Sequence, residues 1–170
     1  TVDGGLAEYV NVPAYTLVPL DDEISFLDAA ALPCAHGTAY RMMVTRGKIA
    51  ADEKVLILGA SGGVGTCCVQ LAKSAGATVI AAASSQDKLG KLKTIGADEG
   101  INYKEVEFHR AIQELYGKPS LHGGDGGVDV IINYTGGDTW VPSLKCLSKD
   151  GRMLTLSLIH ISEPTRRDQI

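Results

Sequence analysis

The sequence lacks any apolar run approaching the roughly 20 residues that span a bilayer. Its first residues, Thr1 to Gly5, lack the charged and apolar regions of a signal peptide, so the expected location is cytoplasmic. An excess of positive charge is also missing. With a formal net charge of -4, neither nucleic acid nor an anionic membrane has an electrostatic basis as partner, and a small soluble ligand is expected instead. Cysteine is sparse. Cys34, Cys67, Cys68 and Cys146 form no C-x-x-C pair, and Cys67 and Cys68 sit in an apolar helical stretch, which points to reduced, structural thiols rather than a metal cluster. Against these absences stand 170 residues that are 45% hydrophobic, enough for one substantial core, and a charged fraction of 21% that excludes a disordered chain.

Residues 156–166 spell LSLIHISEPTR, which resembles the translation of a transposase adapter used to prepare DNA sequencing libraries. Residues 156–170 are therefore expected to be a non-native tail, and His160 receives no functional role. The competing reading is a genuine last strand over Leu154 to Ile161, whose β-branched and apolar content suits one.

From Lys54 onward, short β-rich runs alternate with helical periods, the rhythm of a parallel sheet with crossover helices. Val55 to Leu58 is continuously apolar, as a central strand covered on both faces must be. A helix with Val64, Cys67 or Cys68, Leu71 and Ala75 on one face follows, then a strand over Thr78 to Ala83. Leu89, Leu92 and Ile95 stripe a second helix, Gly100 to Tyr103 is a short strand, and Phe108, Ile112 and Leu115 mark a third helix. Lys118 to Gly127 reads as a loop and Val128 to Tyr134 as the fourth strand. Asp138 is placed to cap a helix carrying Val141, Leu144 and Leu147, and Arg152 to Thr155 begins a fifth strand. The pattern predicts an α/β fold with a doubly wound parallel sheet. The first fifty residues differ: Leu6 to Val12 suits a strand, Ser25 to Asp28 is a capping box opening an alanine-rich helix, and Pro33 interrupts that helix before a second piece reaches Gly47.

The segment Gly59-Ala60-Ser61-Gly62-Gly63-Val64-Gly65 joins a predicted strand to a predicted helix. Small residues there let the backbone approach a pyrophosphate, whose charge the helix N-terminus stabilises. Read as G-x-G-x-x-G, the fingerprint falls on Ala60, Gly62 and Gly65, with alanine leading. The same residues satisfy G-x-S-x-G, with Ser61 as nucleophile of an α/β-hydrolase-like serine esterase. That alternative needs a later histidine, and His109 and His122 fall in a helix and a glycine-rich loop. It also leaves Gly65 unexplained, whereas a dinucleotide loop requires it for close helix packing.

An NAD-binding unit carries an acidic residue near the end of its second strand to hold the adenosine ribose. Here Ala83 stands in that place, and Ser84, Ser85 and Lys88 offer hydroxyls and a positive charge to a 2′-phosphate. The cofactor expected is NADP(H).

GASGGVG, VIAAASSQDK and GADEGINY together resemble the coenzyme domain of the medium-chain dehydrogenase/reductases. The likeness is to the zinc-type alcohol dehydrogenase and NADPH quinone oxidoreductase branches, and it runs from about Gly4 to Thr155 through GGLAEYVNVP, DAAALPCAHGTAY, GVDVIINYTGG and LSKDGRMLT. The resemblance implies an incomplete Rossmann domain over 48–155, linking helices over 21–47 and a remnant of a GroES-like catalytic domain over 1–20. It implies contacts to the 2′-phosphate from Ser84, Lys88 and Tyr103, places Thr38 near the nicotinamide, and sets Tyr134, Thr135, Gly136 and Gly137 against the cofactor. In the zinc-dependent branch a cysteine in a P-C-A context like that of Cys34 is a zinc ligand; its partner ligands lie in sequence before Thr1, so zinc stays open for the intact protein.

The resemblance further implies an NADPH-dependent oxidoreductase acting on a quinone, enone, aldehyde, ketone or alcohol. The intact protein is expected to be a homo-oligomer, and this chain alone to bind cofactor weakly and catalyse nothing. A non-catalytic NADPH-binding protein remains an alternative, because sites and not folds determine function.

Overall fold

The computed structural model describes residues 5–120 and 122–156. Five strands form one parallel sheet: β1 Lys54–Leu58, β2 Thr78–Ala83, β3 Glu99–Asn102, β4 Val128–Asn133 and β5 Leu147–Thr155, in the spatial order β3-β2-β1-β4-β5. The expected doubly wound sheet is present. Alternate residues of β1 supply the two halves of the core, which is why its sequence is apolar without interruption. Val55 and Ile57 face a layer containing Cys67, Cys68, Val69 and Ala72, while Leu56 and Leu58 face Phe108, Ile112 and Cys146.

Helix α3, Gly63–Ser74, and helix α4, Gln86–Thr94, cover the first face; α5, Phe108–Tyr116, covers the second. The numbering counts two earlier helical segments, α1 over Phe26–Ala31 and α2 over Gly37–Tyr40. Ser25 does cap α1, its hydroxyl oxygen accepting the Asp28 amide at 3.1 Å while the hydroxyl donates to the Asp28 carboxylate at 2.6 Å. Pro33, however, does not break the chain into two helices. Because proline has no N–H to give, the backbone widens into a π turn over Leu32–His36, in which the Gly37 amide reaches the Leu32 carbonyl, and a second π turn spans Arg41–Arg46.

Two other expectations change. Leu6 to Val12 forms no strand: Leu6 and Tyr9 are exposed, and no described strand lies alongside to receive its hydrogen bonds. After β4, a single 3₁₀ turn at Gly137–Thr139 leads into a short helix α6, Trp140–Leu144, without a side-chain cap from Asp138. Leu147 therefore opens β5 rather than closing a helix, and a bulge absorbs the slip, pairing Val128 with Leu147 but Val130 with Arg152. Arg152 fastens this edge strand to the start of the domain. Its guanidinium meets both carboxylate oxygens of Glu53 at 2.7 and 2.8 Å and the carbonyls of Gly47 and Lys48 at 2.5 and 3.1 Å.

The segment read as an adapter tail falls, from residue 157 on, outside the described residues. Its first residue, Leu156, is half-buried against the core. No described helix is long and apolar enough to cross a membrane.

Candidate dinucleotide site

All five strands are parallel, so the loops after them share one edge of the sheet, and the strand order reverses between β1 and β4. The glycine loop follows β1. Gly59 has φ +66° and is overhung from β4: a Cβ there would meet Thr135 Cγ2 and Tyr134 Cε2, each at 3.3 Å. Ala60 is fully buried and its amide is taken by the Ala82 carbonyl at 3.1 Å, so its role is to seat the loop on β2. Gly62 is the N-cap of α3, and the first amide bound within the helix end is that of Thr66, on the Gly62 carbonyl at 2.9 Å. The amides of Gly63, Val64 and Gly65 are thus left facing outward from the helix end, as a bound anion requires. Gly65 packs so closely that a Cβ would stand 2.7 Å from Ala60 Cα and inside the Tyr134 hydroxyl. Ser61 is exposed, and it is not among the left-handed non-glycine residues Lys48, Asp52 and Asp150, so it lacks the strained backbone of a hydrolase elbow.

Ser84, Ser85 and Lys88 lie together just beyond the end of β2. Lys88 Nζ donates to Ser84 Oγ at 3.0 Å, and Ser85 caps α4, accepting the Lys88 amide at 3.4 Å. Ala83 pairs with Asn102, the residue before Tyr103, and the Tyr103 amide donates to the Ala83 carbonyl at 3.2 Å. Ser84, Ser85, Lys88 and the half-exposed Tyr103 are therefore neighbours. Glu105, which the sequence reading passed over, closes this corner by accepting from Asn102 at 2.6 Å and Gln86 at 3.4 Å.

Beyond Tyr103 opens a cleft of about 410 Å³, lined among others by Leu58, Tyr103, Phe108, His109, Thr135 and Pro142. A second hollow of about 300 Å³ lies where Thr38, Arg41 and Met42 meet Met153, Leu154 and Thr155 at the end of β5. Thr38 and the cluster of Ser84, Ser85, Lys88 and Tyr103 thus belong to different ends of the same edge.

After β4, Asn133 organises the turn. It is 1% exposed, yet its Oδ1 accepts the amides of Thr135 and Gly136 at 3.1 Å each and the Thr135 hydroxyl at 3.0 Å, while its Nδ2 donates to Thr139 and Ser143 at 3.0 and 3.1 Å. A polar residue ending an apolar strand, followed by Thr, Gly and Thr, was the available signal for this hub. Tyr134 turns its side chain toward the glycine loop, donating to the Gly59 carbonyl at 2.6 Å. Burial, with smaller effects from Cys68 and Cys67, pushes its phenol above the ordinary tyrosine range.

The cysteines divide. Burial, reinforced by neighbouring Cys67, pushes the Cys68 thiol up to about 12; burial alone does the same for Cys146 and raises Cys67. These are inert packing groups. Cys34 is exposed, and the described residues contain no group of three histidine, cysteine or acidic side chains able to hold a metal.

A five-stranded parallel sheet in this order, with a glycine loop at its switch point, defines a dinucleotide-binding Rossmann domain. Comparison with known proteins places it further. Residues 63–169 match the zinc-binding dehydrogenase family, a match that runs on through the segment read as a tail, and the chain belongs to that family, within the medium-chain dehydrogenase/reductases. It is 35% identical to a quinone oxidoreductase of Mus musculus over 92% of this chain and 46% of that protein. Among solved structures, the Escherichia coli quinone oxidoreductase complexed with NADPH is 33% identical with a TM-score of 0.71, over 80% of this chain and 40% of that one. An NAD-dependent alcohol dehydrogenase is 35% identical with a TM-score of 0.76, over 88% and 42%. The chain spans about half the length of the curated relatives it matches. The family membership overturns the serine-esterase alternative. Zinc, which the family's name implies, finds no fitting ligand set among the described residues.

Proposed function

We propose that this chain is the NADPH-binding unit of an oxidoreductase that transfers hydride between nicotinamide and a small-molecule quinone, enone, aldehyde, ketone or alcohol. Relatives of similar identity include both an NADPH complex and an NAD-dependent enzyme, so the choice of cofactor rests on this chain's own residues. The observation that carries it is the Lys88–Ser84 pair, 3.0 Å apart, beside Tyr103 and with Ala83 where a ribose-binding carboxylate would repel a phosphate.

The parts divide the work along one edge. The outward amides of Gly63, Val64 and Gly65 bind the pyrophosphate; Lys88, Ser84 and Tyr103 bind the 2′-phosphate; the largely apolar cleft over Leu58, Phe108 and Pro142 takes the adenine by burial of its flat faces. Thr38 and the hollow at the end of β5 take the nicotinamide end. When bound, the cofactor supplies a hydride at C4 of the nicotinamide, and the protein's contribution is to orient it. Four unpaired cysteines fit a reducing compartment, which supports a cytoplasmic setting.

The test is calorimetric titration of the chain with NADPH and NADH. NADPH binding at least about tenfold tighter, or about 1.4 kcal/mol, supports the reading. Equal affinities, or NADH the tighter, remove NADPH from it. NADPH-dependent reduction of a quinone or enone by the full-length protein then separates an enzyme from a non-catalytic binder.

A further inference from the structure

Tyr134 is the first residue after β4, yet its side chain serves the loop after β1. The hydroxyl donates to the Gly59 carbonyl at 2.6 Å, and the ring edge lies 3.3 Å from where a Cβ on Gly59 would stand. The same hydroxyl is 3.9 Å from the corresponding place on Gly62 and closer still to that on Gly65. One phenol therefore occupies the space under three of the loop's glycines. The Gly59 carbonyl also accepts the Gly62 amide at 3.0 Å, and the Ala60 amide is held by Ala82 at 3.1 Å. The rigid peptide between Gly59 and Ala60 is thus gripped on both its polar atoms, and its plane sets the direction in which the following amides leave. Burial keeps the phenol protonated and a donor across the working pH range.

We propose that Tyr134 is a positioning residue for the pyrophosphate loop: by donating to Gly59 from the turn after the neighbouring strand β4, it locks the loop so that the Gly63, Val64 and Gly65 amides are aimed at the anion before the cofactor arrives. The hydroxyl proton goes to Gly59 and not to a ligand. This inference rests on the loop's holding a dinucleotide. It goes beyond that reading by making the loop's order depend on a side chain outside the loop. The effect is preorganisation: a loop free to rotate the Gly59–Ala60 peptide must pay its ordering cost on binding.

The test compares Tyr134→Phe with wild type, using the full chain and two ligands. NADPH contains the pyrophosphate; adenosine 2′-phosphate carries the adenine, ribose and 2′-phosphate but no pyrophosphate. Affinities come from calorimetry for the first and NMR titration for the second, with thermal melting on both proteins. The expected result is a loss of about 3- to 10-fold in NADPH affinity, from one removed neutral hydrogen bond, with adenosine 2′-phosphate binding unchanged within about twofold. Should the phenylalanine variant fail to fold, Tyr134→Met, also apolar and lacking the hydroxyl, must show the same split. Wild-type NADPH affinity in the variant overturns the proposal, and so does an equal loss for both ligands, which marks a general structural defect. A wild-type chain that binds neither ligand overturns the NADPH reading itself, and this one with it.

Discussion

Removing the Lys88 ammonium should weaken NADPH and leave NADH alone, and the structure bounds by how much. Lys88 is exposed and held by Ser84 at 3.0 Å, so a 2′-phosphate at the same corner meets it directly but in contact with water. Two unit charges 4 Å apart attract by about 1 kcal/mol in bulk water and about 4 kcal/mol at an effective dielectric of 20. Exposure puts this site near the lower figure. Glu105, bound to Asn102 and Gln86 on the same edge, trims it further, while Asp87 is engaged by Lys91 at 3.0 Å on the outer face of α4. A 2′-phosphate carries close to two negative charges, which about doubles the unit-charge figure, so a net contribution of about 1–2 kcal/mol, or about 5- to 30-fold in affinity, remains. Lys88→Ala should therefore raise the NADPH dissociation constant by that factor at low salt and leave NADH within about twofold, as read by calorimetric titration. Raising the salt from about 20 to about 200 mM should narrow the gap between wild type and variant, because an exposed contact is screened. An unchanged NADPH affinity, or equal losses for both cofactors, would refute the assignment of Lys88 to the 2′-phosphate.

Further measurements bear on the loop, the edge strand and the chain's last residues. Gly65→Ala forces a methyl against Ala60 backbone and the Tyr134 hydroxyl; overpacking of this kind costs about 1–3 kcal/mol, and thermal melting should fall by several degrees together with NADPH affinity, whereas a neutral effect would show that α3 yields freely. The hydrogen bonds from Arg152 hold the Glu53 carboxyl below its ordinary range. Since the lowered value belongs to the folded state, the stabilisation is complete above the ordinary glutamate range and is lost as pH falls through the lowered value. Glu53→Gln should cost about 1–3 kcal/mol near neutrality and flatten the acid limb of a stability-versus-pH curve by denaturant unfolding; parallel limbs would show that the pair does not titrate with folding. Deleting residues 157–170 should change neither melting temperature nor NADPH affinity, as expected of an adapter-derived tail; a drop of several degrees would show that the segment packs.

The strands were legible because each has a physical reason to look the way it does. β1 and β4 are buried on both faces, so Lys54–Leu58 and Val128–Asn133 are near-continuous apolar runs, and the helices between them carry a period that only a helix explains. Failures fall where tertiary contacts outweigh local pattern. The Val141, Leu144, Leu147 spacing reads as helical, but Leu147 is drawn into pairing with Val128, and a bulge near the start of β5 costs less than leaving the edge of β4 unpaired. Leu6 to Val12 has the composition of a strand but no neighbour to bond among the described strands, and composition alone holds no strand in water. Pro33 illustrates the converse: removing one N–H is a local event, and the helix accommodated it by widening one turn rather than stopping.

The site was legible to the same depth, for a reason that Tyr134 makes concrete. Ser84, Ser85 and Lys88 are close in sequence and stay close on one helix end, so their joint chemistry is visible in a line of letters. Tyr103 joins them only through the pairing of β3 with β2, a contact that no local pattern encodes and that the family resemblance supplied. Tyr134 lies 75 residues from Gly59, and after β4 a tyrosine reads as one more residue facing the ligand. Its actual partner emerges only when β4 is laid beside β1, which is the step that also creates the switch point where the cofactor site is proposed. The sheet order that opens the crevice is therefore what delivers the phenol to the loop, so a permuted chain preserving the β1–β4 pairing should keep the Tyr134–Gly59 bond.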